Sequence, residues 1–231
     1  SHADVVTALF RRANEAQIEL GCDENKLCVT PNGVHIERFA DVPDKPEDGW
    51  TDIGAIVRIA RIKDIKTMIY AFAEVKREIG NVRLHIMGDI DDDEYYEACR
   101  TLIVQLGVQD IIFTGSVDVA EYIKKLDFII LTSISEGQPL SVLEAFAAGR
   151  ACVTTDVGCC RELIEGNDGL GEAGICVPPM NKEQVAQAML ELCREPLTRK
   201  RMGAVGRERV RRYYTHDISM ENYKRLYQEV V

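Results

Sequence analysis

The 231-residue sequence has no stretch approaching about 18 uninterrupted apolar residues, which excludes a helical membrane span of the usual kind. It has no surplus of positive charge. Its 28 Lys and Arg face 38 Asp and Glu, a formal charge of −10, and that excludes nucleic acid as a general partner while leaving room for a local cationic pocket. It has no C-x-x-C pair, and its four histidines, His2, His35, His85 and His216, are scattered, so no metal site is expected. The eight cysteines sit mostly within apolar patterns, as free thiols do in a reducing, cytoplasmic setting. Cys159 and Cys160 fall in an expected loop, where they read as inert but exposed thiols. No signal peptide is expected ahead of the first helix. Internal repeats and low-complexity tracts are also missing.

What remains is an ordinary globular composition, 46% hydrophobic and 29% charged, in a chain long enough for a real core. From Ile53 onward strand and helix patterns alternate. Strands are expected at Ile53–Ile59, Val82–Met87, Asp110–Phe113, Asp127–Leu131, Ala151–Thr154 and Gly174–Val177. Helices are expected near Thr67–Ile79, Glu94–Leu106, Val119–Lys125 and Leu140–Ala148, with a helical end over Lys182–Cys193, Leu197–Tyr213 and Ile218–Val231. This spacing implies βαβ units and a doubly wound α/β fold with a parallel sheet of about six strands. Before it, Asp4–Leu20 reads as a helix closed by Gly21, Lys26–Val29 as a short strand, Pro31-Asn32-Gly33 as a turn, and Ala40–Thr51 as a polar linker. Ser1-His2 reads as a remnant of expression rather than of the fold.

The most informative stretch is Ser135–Gly149, SEGQPLSVLEAFAAG, between two buried strands. Leu140, Leu143, Phe146 and Ala147 fall on one helical face, Pro139 fits the first turn, and Gly149 ends the helix. Its first-turn N–H groups, with those of Gly137–Ser141 around them, would point out of the carboxyl end of a strand and favour an anion. Glu136 in the loop and Glu144 on the helix would repel a phosphate but suit sugar hydroxyls, which donate to a carboxylate. The plainer reading makes both of them solvated carboxylates. Arg58 and Lys63 follow the first strand of the alternating region and suit a diphosphate, or form a solvated basic loop with Arg61 and Lys66. Gly88, directly after a strand, permits close backbone approach to a ligand. Asp89-Ile90-Asp91-Asp92-Asp93 contains D-x-D but reads as a loop and an acidic first helical turn. Gly169–Gly174 spells G-x-G-x-x-G but leads into a strand, so it reads as a loop.

Taken in order, PNGV at Pro31–Val34, Arg58…Lys63 in VRIARIKDIKT, MGD at Met87–Asp89, FTGSV at Phe113–Val117 and Glu136-x7-Glu144 resemble the retaining glycosyltransferases of family 4, of GT-B fold, with a nearest likeness to the PelF-like branch. The resemblance implies that residues 1–40 are the tail of an N-terminal acceptor domain, 41–51 a linker, and 52–231 a Rossmann-like, C-terminal UDP-sugar-binding domain. It implies Glu136, Arg58 and Lys63 as catalytic residues. It assigns Glu144, Gly137, Gln138, Leu140, Ser141, Gly88, Ser116 and Val117 to the donor nucleotide, with Ser116 and Val117 bordering the base. The implied donor is a UDP-glucose-like sugar, bound without a metal or other cofactor. The implied partners are a glycan acceptor, the missing domain, a membrane-bound polysaccharide export complex and, for this piece alone, a second copy. Val57 and Asp64 stand where the family usually has glycine. A UDP-sugar epimerase half of the same fold and a non-enzymatic nucleotide-binding module remain alternative readings.

Overall fold

The computed structural model describes residues 3–230. Ser1-His2 and Val231 lie outside the described residues. Six strands, β3 (Thr51–Ile56), β4 (Val82–Met87), β5 (Ile111–Gly115), β6 (Phe128–Leu131), β7 (Ala151–Thr155) and β8 (Gly174–Val177), form one parallel sheet in the order β5-β4-β3-β6-β7-β8. This is the doubly wound order expected from the alternation, and it reverses direction between β3 and β6. The strands are near-continuous apolar runs because helices cover the sheet. Ile53, Leu84, Phe128 and Ile130 are fully buried.

The crossovers carry helices α2 (Ile65–Glu78), α3 (Asp93–Leu106), α4 (Val119–Tyr122), α5 (Leu140–Ala147) and α6 (Cys160–Glu165); after β8 come α7 (Lys182–Arg194), α8 (Pro196–Tyr213) and α9 (His216–Val230). Helix α2 packs on α3 and α7, and α5 packs on α8. That last crossing is close because α8 offers glycines. A Cβ on Gly203 would lie 2.1 Å from the carbonyl oxygen of Gly149, and one on Gly206 would lie 2.6 Å from the Phe146 ring.

Two expectations are overturned. Val6–Ala8 is a strand (β1), not the start of a helix; helix α1 (Arg11–Glu19) begins only after Phe10, whose backbone is extended. Strand β1 pairs in parallel with β2 (Leu27–Val29), so Val6, Thr7 and Ala8 spend their backbone groups on a ladder. Cys159 and Cys160 are not in an exposed loop. They open helix α6 and are 2% and 0% exposed, and burial pushes the Cys160 thiol up to about 12. Smaller shifts occur elsewhere. The first strand of the alternation is Thr51–Ile56 rather than Ile53–Ile59, and Pro139 caps α5 from just outside, so the helix begins at Leu140.

Residues 41–50 have no regular structure, yet they are fastened to the domain. Val42 is buried, Arg150 donates to the Pro43 carbonyl, and the Lys45 ammonium reaches Asp52 at 2.6 Å. Asp52 anchors a buried network at the amino ends of β3 and β6. It accepts from Arg83 at 2.5 and 2.8 Å and lies 2.8 Å from His85 Nε2. Its backbone N–H donates to the Asp127 carboxylate at 2.8 Å, and the Asp127 N–H donates back to the Asp52 carbonyl at 2.7 Å. Burial works to raise the pKa of Asp52, but the hydrogen bonds from His85, Arg83 and Lys45 outweigh it, and the carboxyl is held well below the usual range.

A carboxylate depressed in the folded state contributes stability that is complete above its ordinary pKa and is lost as pH falls toward the folded one. The urea midpoint, followed by the fluorescence of Trp50, whose ring lies under Arg83, is therefore expected to drop as pH falls from about 4 to 2. Asp52→Asn should cost roughly 1–3 kcal/mol at neutral pH, because Lys45 and Arg83 lose their shared buried carboxylate and keep only Asp48 and Asp127. It should also make that acid dependence shallower, the remainder coming from other depressed carboxylates such as Asp168 beside Arg209. An Asp52→Asn protein with the wild-type acid slope would contradict this account.

Candidate functional site

At the carboxyl ends of β3, β4, β5 and β6, where the strand order reverses, the loops part and leave a cleft of roughly 520 Å³. Its walls include Arg58, Lys63, Gly88, Ser116, Val117, Glu136, Gln138, Leu140, Ser141 and Glu144. Ten of the eleven residues singled out from sequence thus meet in one place, though the chain separates Lys63 from Glu136 by 73 residues. Gly137 lies beside the cleft without lining it, its carbonyl accepting from the Cys159 N–H at 3.0 Å.

The two cations are already paired. Lys63 Nζ lies 2.6 Å from Glu136 Oε1, with the two side chains 18% and 11% exposed. Arg58 is 65% exposed and pairs with Asp91 at 2.7 Å. Asp92 caps α3 through the Tyr95 N–H and pairs with Arg61, so the D-x-D tract is occupied by a helix start and by arginines. Among the described residues no group of three or more His, Cys, Asp or Glu is placed to hold a metal ion. The Glu144 carboxylate has no hydrogen-bond partner among the described residues, and burial raises its pKa.

The local conformation at Asp64 explains one departure from the glycine pattern. Asp64 has φ +46° and ψ +50°, the left-handed geometry that favours glycine and that Asp tolerates, and its carboxylate caps α2 at the Thr67 N–H. Gly88 is required because a Cβ there, at φ +145°, would lie 2.1 Å from the Val57 carbonyl oxygen. The close approach is therefore between two strand ends that both line the cleft. Gln138 has a structural bond that the sequence did not reveal. Its Oε1 accepts from the Asn32 N–H at 2.6 Å, tying the irregular Pro31–Val34 segment to the cleft loop. That segment is held from its other side by Ser219, which donates to the Pro31 carbonyl. Sequence reasoning missed the apolar wall of Ile56, Met87 and Val119, because nothing but the topology brings two strand ends and the start of α4 together. Leu140, counted on the buried helical face, is 48% exposed and faces the cleft.

Comparison with known proteins settles the family. Residues 51–195 match the family described as Glycosyl transferases group 1. The chain belongs to that family. It is 27% identical over 226 residues to alpha-monoglucosyldiacylglycerol synthase of Streptococcus pneumoniae, covering 85% of this chain and 48% of that protein. It is 30% identical over 179 residues to an N-acetylgalactosaminyltransferase of Campylobacter jejuni that acts on N,N'-diacetylbacillosaminyl-diphospho-undecaprenol, covering 70% and 46%. The chain thus spans about half the length of the curated relatives it matches. Among solved structures it resembles a glycosyltransferase from Rickettsia africae, with TM-score 0.87, 22% identity and coverage of 98% and 63%. It also resembles Anabaena HepE in complex with UDP-glucose, with TM-score 0.83, 17% identity and coverage of 98% and 64%. At these identities the structural likeness shows the fold, the doubly wound domain of GT-B glycosyltransferases.

An unpartnered, half-buried carboxylate costs stability while it is charged, and the cost disappears once it is protonated. Glu144→Gln is expected to stabilise the chain at pH 7 by roughly 0.5–1 kcal/mol, because it removes the desolvated charge. The gain should fade as pH falls through the raised pKa of Glu144 and below the ordinary carboxylate range. Urea denaturation at pH 7 and pH 4 checks this; a less stable variant at pH 7 would mean that Glu144 has a partner in solution.

Proposed function

We propose that this chain is the donor-binding half of a retaining, family 4 glycosyltransferase of the PelF-like branch, which takes a UDP-glucose-like donor and extends a polysaccharide. The observation that carries the reading is the Lys63–Glu136 pair at 2.6 Å beside the first turn of α5, in one cleft with Arg58 and Glu144. A helix N-terminus and two cations suit a diphosphate, and carboxylates among them suit hydroxyls. The likeness to a protein solved with UDP-glucose supports the choice of donor.

In this reading the diphosphate lies against the first turn of α5 and draws Lys63 and Arg58 from their carboxylate partners. Glu144 accepts from the ribose, Glu136 from the hexose, and Ser116 and Val117 border the base. Stabilisation of the departing diphosphate by fixed cations and N–H dipoles is the main catalytic term, with a departing phosphate oxygen taking the acceptor's proton. The acceptor, a glycan, is held by a further domain of which residues 1–40 are the tail. Exposed Ile18 and Leu20 near α1, and Met220 and Tyr227 on α9, support an apolar contact there or with a second copy. The full protein works in the cytoplasm beside a membrane-bound polysaccharide export complex. Among the described residues no helix is long and apolar enough to cross a membrane.

Isothermal calorimetry with a panel of UDP-sugars tests the reading. UDP and at least one UDP-hexose are expected to bind, and Arg58→Ala with Lys63→Ala should weaken UDP by roughly ten- to a hundredfold. Unchanged UDP affinity in the double variant would overturn the assignment. The chain alone is expected to bind without transferring sugar, because positioning of the acceptor is worth up to ~7–11 kcal/mol of the barrier in favourable cases. Transfer by the 231-residue chain at the rate of a full-length relative would place the acceptor site within it.

A further inference from the structure

We propose that Ser133 is a positioning residue for Glu136, fixing one carboxylate oxygen so that the other is presented to the donor's hexose. The proposal rests on the donor-site reading above and assigns a role to a residue that touches no ligand in it. Ser133 follows β6 by two residues and is fully buried. Its hydroxyl donates to Glu136 Oε1 at 2.6 Å. Its own carbonyl accepts from Thr155 Oγ1 at 2.7 Å, at the end of the neighbouring strand β7. The adjacent Thr132, also buried, donates from Oγ1 to the carbonyls of Lys63 and Asp64 at 3.0 and 3.1 Å. Three buried hydroxyls at the carboxyl ends of β6 and β7 therefore form a floor beneath the cleft, holding the backbone of Lys63 and the side chain of Glu136 in register.

The geometry at Glu136 is asymmetric. Ser133 Oγ and Lys63 Nζ both converge on Oε1, each at 2.6 Å. Oε2 has no hydrogen-bond partner among the described residues, while Glu136 lines the cleft. A carboxylate accepts at about four lone-pair sites, so saturating one oxygen leaves the other as the acceptor for ligand hydroxyls. In the ligand-free chain the ion pair with Lys63 would hold Glu136 unaided. A diphosphate competes for Lys63, and the Ser133 hydroxyl is then the donor that still fixes Oε1. Its contribution should therefore appear when a sugar is attached to the nucleotide. A serine that merely fills space would instead affect folding, or UDP and UDP-sugar alike.

Calorimetry with UDP and UDP-glucose on the wild type, Ser133→Ala, Glu136→Ala and the double variant makes the distinction. Ser133→Ala is expected to weaken UDP-glucose by roughly tenfold, the loss of one charge-assisted hydrogen bond, while UDP stays within about twofold. In the Glu136→Ala background the same substitution should change nothing further, since the two residues act as one unit. If Ser133→Ala fails to fold, Ser133→Cys, of similar shape and weaker as a donor, should show the same selective loss at smaller size. Equal losses for UDP and UDP-glucose, an undiminished effect in the Glu136→Ala background, or unchanged UDP-glucose binding where Glu136→Ala weakens it, would each overturn the role of Ser133 and leave the donor site standing. If UDP does not bind the wild type, the donor-site reading itself fails and this inference fails with it.

Discussion

The structure depends on one topological constraint, the reversal of strand order between β3 and β6. These strands are neighbours in the sheet although two strands and three crossovers lie between them in the chain. Right-handed connections send β3 toward β4 and β6 toward β7, so the loops at their carboxyl ends must part. The cleft is that parting. Its residues come from the ends of four strands and the starts of α4 and α5 because those are the parts of the chain that the reversal leaves facing each other. The amino ends of the same two strands are locked together by Asp52, Asp127 and the cations around them. One end of the pair is thus closed by satisfied charges, and the other end stays open.

The open end is built differently. Its polar groups are held by hydroxyls, with Thr132, Ser133 and Thr155 buried beneath Lys63 and Glu136. Hydroxyls fix geometry without adding net charge, so they do not compete with an incoming anion for the cations. The cations are instead balanced by Glu136 and Asp91, both reached through flexible side chains that an anion can replace. The Glu144 carboxylate is left without a hydrogen-bond partner among the described residues, at a cost in stability that a ligand's hydroxyls would remove.

Much of this was legible in the sequence, and the rest was hidden for identifiable reasons. Strand positions followed from apolar runs such as FIIL and ACVT, and β4 and β8 have the bounds that their pattern predicts. The helix after Glu136 was readable because proline, periodicity and glycine agreed. The segment Val5–Phe10 was misread because an apolar run of that length fits either period, and its strand pairing with Leu27–Val29 is a non-local contact. Helix α6 is only six residues long, too short for its period to show, and so the sequence around Cys159 and Cys160 reads as a loop. Asp64 looked like a defect in a glycine pattern until its left-handed backbone and its capping bond were seen together. The Asp52 network and the link from Gln138 to Asn32 join residues far apart in the chain, and no local pattern announces them.

In the proposed reading the cleft at the strand reversal holds a nucleotide diphosphate by taking over cations that are paired to carboxylates in the free chain. A crystal structure of the chain with UDP would decide this. The diphosphate is expected at the first turn of α5, within hydrogen-bond reach of Lys63 and Arg58, with the Lys63–Glu136 separation longer than its present 2.6 Å and the Ser133–Glu136 bond retained. UDP bound elsewhere, or bound in the cleft with both ion pairs intact, would contradict that reading.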